Sequence, residues 1–459
     1  MKFDSSLISK LDERDLSRSS DSAHQRGRAF AFADLRDRFR SSRSDITHRL
    51  SRFRSSGLSF LLRLASLVGK FGLSLYMTRY MSLDDVGIYG LIFSFSMIAV
   101  VFYGGRIDYD LTRQIVATNK VESYSLLRDQ SIFLLINYIV SIPLILISQH
   151  IFHQPLPVVL FVFLICWLES YSNLLFVNTT FVGKPILANT AFFVRSGLWS
   201  IMVIVAGLGC PLARNLWFVL AAWAAGATLS IALNLWCLEV TQWPSPRSIA
   251  VDWARLRTAL RRSFPIWIGS LGLVGGSYLD RFVVGAFLDM KAVGLTTFYT
   301  SFTTAIVTLV GTSIFSVAAP KLVDAAAQLR ATEYNQELRR ARFHATAFSV
   351  VLCVAISIVI PYLATAMHKP EIAENVLALW LLMTATVVRM IAETAYVGLY
   401  SRHKDRAIWI GNGAFLIVSL LLNLALVPLF GLTGLGLSSI AASAILLALR
   451  QEGLRALRP

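Results

Sequence analysis

Charged side chains are scarce in this sequence: Asp, Glu, Lys and Arg make up 15% of its 459 residues, against about a quarter in soluble globular domains. Cysteine is scarcer still. Cys166, Cys210, Cys237 and Cys353 lie singly in or beside apolar blocks with no CxxC spacing, which speaks against a zinc site or redox centre and for small packing residues. No Walker-type glycine loop is present, so ATP hydrolysis on this chain is not expected to drive its work; the glycines of "GLTGLGLSS" suit close helix packing instead. The short pair His150 and His153 in "HIFHQP" reads as incidental, and no metal or other cofactor is expected. The first 56 residues are polar and Arg/Ser-rich, so no secretory signal peptide is expected there.

Apolar residues, in contrast, make up 55% of the chain, with a mean hydropathy of +0.61. They come in blocks of about 20 residues, the length a helix needs to cross roughly 30 Å of hydrocarbon. The sequence therefore predicts an all-α polytopic membrane protein. Twelve spans are expected, at 57–80, 86–104, 131–149, 157–178, 187–207, 215–237, 264–288, 295–317, 344–362, 373–400, 407–428 and 431–449.

The net charge of +16 is distributed in alternation. With residues 1–56 placed inside, the segments 105–130, 179–186, 238–263, 318–343, 401–406 and 450–459 carry 21 Lys and Arg, and the tail adds 13. The outer loops carry only Arg79, Arg214, Lys291 and Lys369. This is the positive-inside pattern, and it predicts cytoplasmic N and C termini. No nucleic-acid motif accompanies the charge, so phospholipid is the expected partner and nucleic acid is not. Within the tail, Phe32, Leu35, Phe39, Ile46, Leu50 and Phe53 fall at helical spacing among arginines. That pattern suits an interfacial amphipathic helix as well as it suits a solvated basic segment.

An internal repeat is visible. "YMSLDDVGIYGLIFSFS" (80–96) aligns with "FLDMKAVGLTTFYTSFT" (287–303) at a constant offset of 207, with Val-Gly, Ser94/Ser301 and Phe95/Phe302 coinciding. Six spans separate the two stretches, so both halves share one orientation. The expected architecture is two pseudo-symmetric six-helix lobes around a central cavity: residues 57–237 and 264–449, joined by a cytoplasmic linker at 238–263, with tails at 1–56 and 450–459.

Ionisable groups at membrane depth are costly and mark pathways. Five cations (Arg63, Lys70, Arg195, Arg281, Arg389) and three carboxylates (Glu169, Asp280, Glu393) fall inside the spans. Arg63 and Lys70 share a helix face, and Arg63 is also placed to snorkel toward the headgroups. Arg389 and Glu393, four apart, are spaced to pair on one helix. Asp280 and Arg281 are adjacent, hence about 100° apart on a helix. They are expected to seek different partners rather than each other. Arginine forks and a lysine point charge suit an anionic, phosphate-like ligand, so the five cations are expected to bind substrate. The three carboxylates are candidates for ion coupling or inter-helix pairing.

Several runs resemble the polysaccharide-biosynthesis flippases of the multidrug/oligosaccharidyl-lipid/polysaccharide exporter superfamily: "SLDDVGIYGLIFSF", "YLDRFVVGAFLDMKAVGLTTFYTSFT", "SVAAPKL" and "VPLFGLTGLGLSSIAAS". The strongest piece is the Asp280, Arg281, Gly285, Val293, Gly294 pattern. The chain departs from the family in its basic tail and at Thr296 and Thr297, where an aromatic-rich "GlY" is usual. The resemblance implies a bacterial inner-membrane protein, not an enzyme. It would move undecaprenyl-pyrophosphate-linked oligosaccharide between leaflets by alternating access, alongside a polysaccharide polymerase and glycosyltransferases. A multidrug or other small-molecule antiporter of the same superfamily is the first alternative, although a cation pump should favour carboxylates in its cavity. A lipid II flippase carries the same pyrophosphate. A polymerase or ligase enzyme would need a large outer loop, which the twelve-span arrangement lacks.

Overall fold

The computed structural model describes residues 57–152 and 155–456; the basic tail and the side chains of His150 and His153 lie outside the described residues. The chain divides into a unit ending at Phe60 and a body of residues 61–459, and the packing below is that of the body.

Among the described residues the secondary structure is helical, with no strand. The helices are α1 Gly57–Tyr80, α2 Leu83–Gly104, α3 Asp108–Ala117, α4 Lys120–Phe152, α5 Leu156–Phe181, α6 Pro185–Gly209, α7 Leu216–Cys237, α8 Trp253–Tyr278, α9 Asp280–Phe287, α10 Met290–Ala327, α11 Ala331–Met367, α12 Pro370–Glu374, α13 Val376–Ser401 and α14 Asp405–Arg455. Nine of them are long and apolar enough to cross a bilayer. Helices stand at all twelve of the expected positions when α4 and the α8–α9 pair are counted and α14 is divided at Gly431. There φ is 58° and ψ is −138°, a conformation essentially reserved for glycine.

Several boundaries differ from expectation because polar segments extend the helices. α4 begins eleven residues before the expected span. α10 and α11 run on through most of 318–343. α14 continues to Arg455, through what the sequence suggests is a tail.

The offset of 207 is carried into the geometry. Ser82 caps α2 by accepting from the Asp85 N–H at 3.1 Å, and its counterpart Asp289 caps α10 by accepting from the Ala292 N–H at 2.7 Å. These two helices pack against each other reciprocally. A Cβ on Gly87 would lie 2.3 Å from the Met290 carbonyl oxygen, and one on Gly294 would lie 2.1 Å from that of Leu83. Leu83 and Met290 are themselves equivalent under the offset, so each half offers its glycine to the same backbone position of the other. Small residues that admit such approach are the usual means of joining membrane helices.

One core cluster gathers Leu73, Met77, Val86, Trp199 and Trp223 in the first half. Another gathers Val284, Phe298, Phe302, Leu379 and Met383 in the second. Outward-facing apolar residues such as Val351, Val354, Ile358 and Tyr362 of α11 are exposed at helical spacing, the surface a lipid contact requires.

The linker is strapped to the first half. Arg128 is buried against Asp129 at 2.6 Å and donates to the Pro244 and Ile249 carbonyls at 2.9 and 2.8 Å. Asp129 accepts from the Asp252 N–H at 3.2 Å. Glu239 pairs with Lys120 at 3.0 Å and Lys184 at 3.6 Å, and accepts from the Tyr124 hydroxyl at 2.6 Å.

Candidate functional site

A cavity of about 490 Å3 lies between α1, α2, α5 and α6 on one side and α8, α9 and α10 on the other. Five of the eight candidate residues line it: Arg63, Lys70, Glu169, Arg195 and Arg281. Asp280, Arg389 and Glu393 lie outside its lining.

Close packing of α1 on α6 brings the first group together. A Cβ on Gly69 would lie 2.8 Å from the Gly197 carbonyl oxygen, and one on Gly197 would lie 2.8 Å from Ser66 Cα. Gly197 belongs to a π turn, Val194–Leu198, which also carries Arg195; such turns recur at functional sites. Arg195 Nε stands 3.5 Å from Glu169 Oε2. The other oxygen of Glu169 accepts from Trp223 Nε1 at 2.5 Å, and Trp223 stacks on Trp199 with centroids 6.0 Å apart. Glu169 is buried and committed on both oxygens.

Lys70 lies 5.2 Å from the Phe93 ring centroid and has no ion-pair partner among the described residues. Arg63 donates from Nε to Asn189 Oδ1 at 2.8 Å, so it turns into the protein rather than reaching only for headgroups. Arg195 and Arg281 each lie 5.3 Å from an aromatic centroid, Phe192 and Tyr278. The ring faces partly replace the hydration that these cations forgo.

Two sequence expectations are corrected. Asp280 and Arg281 do meet, at 3.6 Å. The helix is interrupted at Leu279, and Asp280 Oδ1 folds back to accept the Arg281 N–H at 2.8 Å. The 100° argument neglects the reach of the arginine side chain: Arg128 and Asp129, adjacent within the continuous α4, meet as well, at 2.6 Å. Arg281 also reaches other helices, donating to Ser94 Oγ of α2 at 3.1 Å and Thr300 Oγ1 of α10 at 2.6 Å.

The second correction concerns Glu393, whose ion pair is with Arg450 of α14 at 3.0 Å rather than with Arg389. Arg450 is wholly buried and also donates to Asn412 Oδ1 and to the Ala392 carbonyl. Arg389 lies 5.6 Å from the Phe415 centroid. It is therefore not a lining cation of the cavity.

Sequence reasoning missed the hydroxyl face of α10. Thr297, Thr300, Ser301, Thr304, Thr308 and Thr312 all line the cavity. Thr300, Thr308 and Thr312 donate to the carbonyl four residues back at 2.7–2.8 Å; Thr300 Oγ1 already accepts from Arg281, and the oxygens of Thr308 and Thr312 remain able to accept from a ligand. The run of hydroxyls at spacings of three and four was the available signal. In sum, the cavity presents four cations against one carboxylate that is already engaged, with a hydroxyl wall opposite.

A family profile described as "Polysaccharide biosynthesis protein" matches residues 54–326. The chain belongs to this family. A search of curated proteins found no match. Solved structures of similar fold include an inward-facing multidrug-resistance MATE transporter of the MOP superfamily, at 13% identity and a TM-score of 0.68 over 87% of this chain and 98% of that one. The lipid II flippase MurJ, in an inward closed conformation, is similar at 13% identity and a TM-score of 0.67 over 88% and 87%. A point mutant of the Vibrio cholerae MATE transporter VcmN is similar at 15% identity and a TM-score of 0.58 over 88% and 96%. This polysaccharide biosynthesis protein is thus a multi-pass membrane protein that shares its fold with MATE transporters and a lipid flippase.

Proposed function

We propose that this protein moves an undecaprenyl-pyrophosphate-linked oligosaccharide from the cytoplasmic to the periplasmic leaflet of a bacterial inner membrane. The observation that carries the reading is the convergence of Arg63, Lys70, Arg195 and Arg281 from helices of both halves on one cavity. Membership of the polysaccharide biosynthesis family supports it.

Residues 57–237 and 264–449 act as the two lobes, with 238–263 as the connector and both termini cytoplasmic. Rocking of the lobes exposes the cavity to one leaflet and then the other. The pyrophosphate contacts Lys70 and the guanidiniums of Arg195 and Arg281, while the lipid tail stays in the bilayer. Arg63 guards the inner end of α1. The pathway's glycosyltransferases supply the cargo and a polymerase consumes it. A MATE-like multidrug antiporter is the second reading, favoured by the fold alone. Against it, Glu169 is the only lining carboxylate among the described residues, and both its oxygens are occupied.

Arg281→Ala is expected to stop export while the protein still inserts. Lys70→Gln, which disturbs no ion pair, is expected to lower export at least tenfold, about the value of one charge-assisted contact. Surface polysaccharide is measured in cells whose only copy is the variant. Normal polysaccharide with both variants would sink the cavity's role.

A further inference from the structure

A second cavity, of about 300 Å3, adjoins the cationic one and shares two walls with it, Met97 and Tyr278. Its volume is at the lower end of ligand-binding pockets. Its chemistry is of another kind. Gln130 projects from α4, Ser170 and Asn173 come from α5, and Asp108 opens α3. Phe133 and Tyr278 supply flat apolar walls. Carboxamides, a hydroxyl and a carboxylate thus replace the crowded cations next door; among the described residues the only lining cation, Arg106, stands 3.8 Å from Asp108.

Gln130 is the decisive residue. Its side chain is wholly buried, and Oε1 accepts from Asn178 Nδ2 at 3.1 Å. Its Nε2 finds no acceptor among the described residues. A buried amide hydrogen left without an acceptor is costly and rare. Here it borders a cavity large enough to admit the missing partner.

We propose that this annex holds the first sugar of the lipid-linked cargo, an inference that rests on the reading of the cationic cavity as the pyrophosphate site. A sugar ring both donates and accepts through its hydroxyls. Amide N–H, amide carbonyl, hydroxyl and carboxylate can serve both kinds of partner. The apolar face of the ring suits the aromatic walls. A phosphate would gain little there, because Asp108 offsets Arg106. Position agrees as well, since the first sugar is bonded directly to the pyrophosphate and must lie in the neighbouring space. Tyr278 faces both spaces, with the Arg281 guanidinium 5.3 Å from its ring. The annex also lies beside 105–130, on the side where the charge pattern puts the cytoplasm, where such cargo would be assembled.

The test uses the full-length protein in lipid nanodiscs with two probes, undecaprenyl pyrophosphate and undecaprenyl-pyrophosphoryl-N-acetylglucosamine. The sugar-bearing lipid is expected to bind about tenfold more tightly, the value of one or two well-made hydrogen bonds. Gln130→Leu and Asn173→Leu are expected to remove most of that preference and leave bare-lipid binding unchanged. Lys70→Gln should weaken both probes equally. A preference that survives both annex variants overturns the sugar subsite while leaving the pyrophosphate reading intact. Failure of the unaltered protein to bind either probe overturns both. Should Gln130→Leu melt early, the half-buried Asn173 decides, because its side chain makes no hydrogen bond to any other described residue.

Discussion

Arg450 reaches Glu393 from a helix 57 positions further along the chain, and its guanidinium is wholly buried between α13 and α14. Removing one member of a buried pair leaves the other charge uncompensated. Arg450→Ala is accordingly expected to destabilise the protein by about 3–5 kcal/mol, read as a lower unfolding temperature in detergent. Arg450→Met combined with Glu393→Leu should recover most of the loss; no recovery would show that the pair is not what the site depends on. The same residues show what a sequence can and cannot tell. Arg389 and Glu393 are four apart, so single-helix spacing pairs them. The actual partner lies on another helix, and spacing carries no information about it. Asp280 and Arg281 failed because the angle between adjacent Cβ directions ignores the reach of a long side chain, as the adjacent pair Arg128 and Asp129 in α4 also shows. Arg63, Lys70, Glu169, Arg195 and Arg281 were legible because the cost of an ionisable group in hydrocarbon makes its mere presence meaningful.

At the level of helices, the contact of α2 with α10 depends on Gly87 and Gly294, where any Cβ would meet backbone rather than a side chain that could swing away. Gly294→Ala is expected to cost about 1–3 kcal/mol as overpacking and to lower export well beyond what that loss of folded protein explains. Thermal unfolding and export assayed at matched protein levels would separate the two, and wild-type export at matched levels would refute a role in transport. The repeat behind this contact was readable, because Val-Gly and the capping positions recur at one offset. The π turn that presents Arg195 was not readable. It inserts one residue into an otherwise regular helix, and nothing in "VRSGL" distinguishes it from α-helix.

Across the whole molecule, the connector between the halves does not hang free but is fastened to the first half through Arg128, Asp129 and Glu239. The Tyr124 hydroxyl and Lys120 hold the Glu239 carboxyl down to about 2, from an ordinary value of 4.5. A depressed carboxylate contributes its stability above the ordinary value and loses it as the pH falls toward the depressed one. Protection of the amides of residues 238–252 against hydrogen exchange, taken relative to the intrinsic rate at each pH, is therefore expected to fall between about pH 4.5 and about 2. Because the cluster is exposed, the step should shrink in high salt. Glu239→Gln should abolish it, whereas an unchanged step in that variant would assign it to other groups. The positive charge of the connector was legible; its attachment to one half was not, since it uses backbone carbonyls that any sequence provides. A Cβ on Gly90 would lie 1.9 Å from Thr297 Oγ1, and these two residues are counterparts under the offset of 207. A strict twofold would make a single residue type face its own image there. Two threonines would collide, and two glycines would leave a gap. The contact is filled without a clash because the two halves differ here, Gly90 supplying the space that the Thr297 side chain occupies.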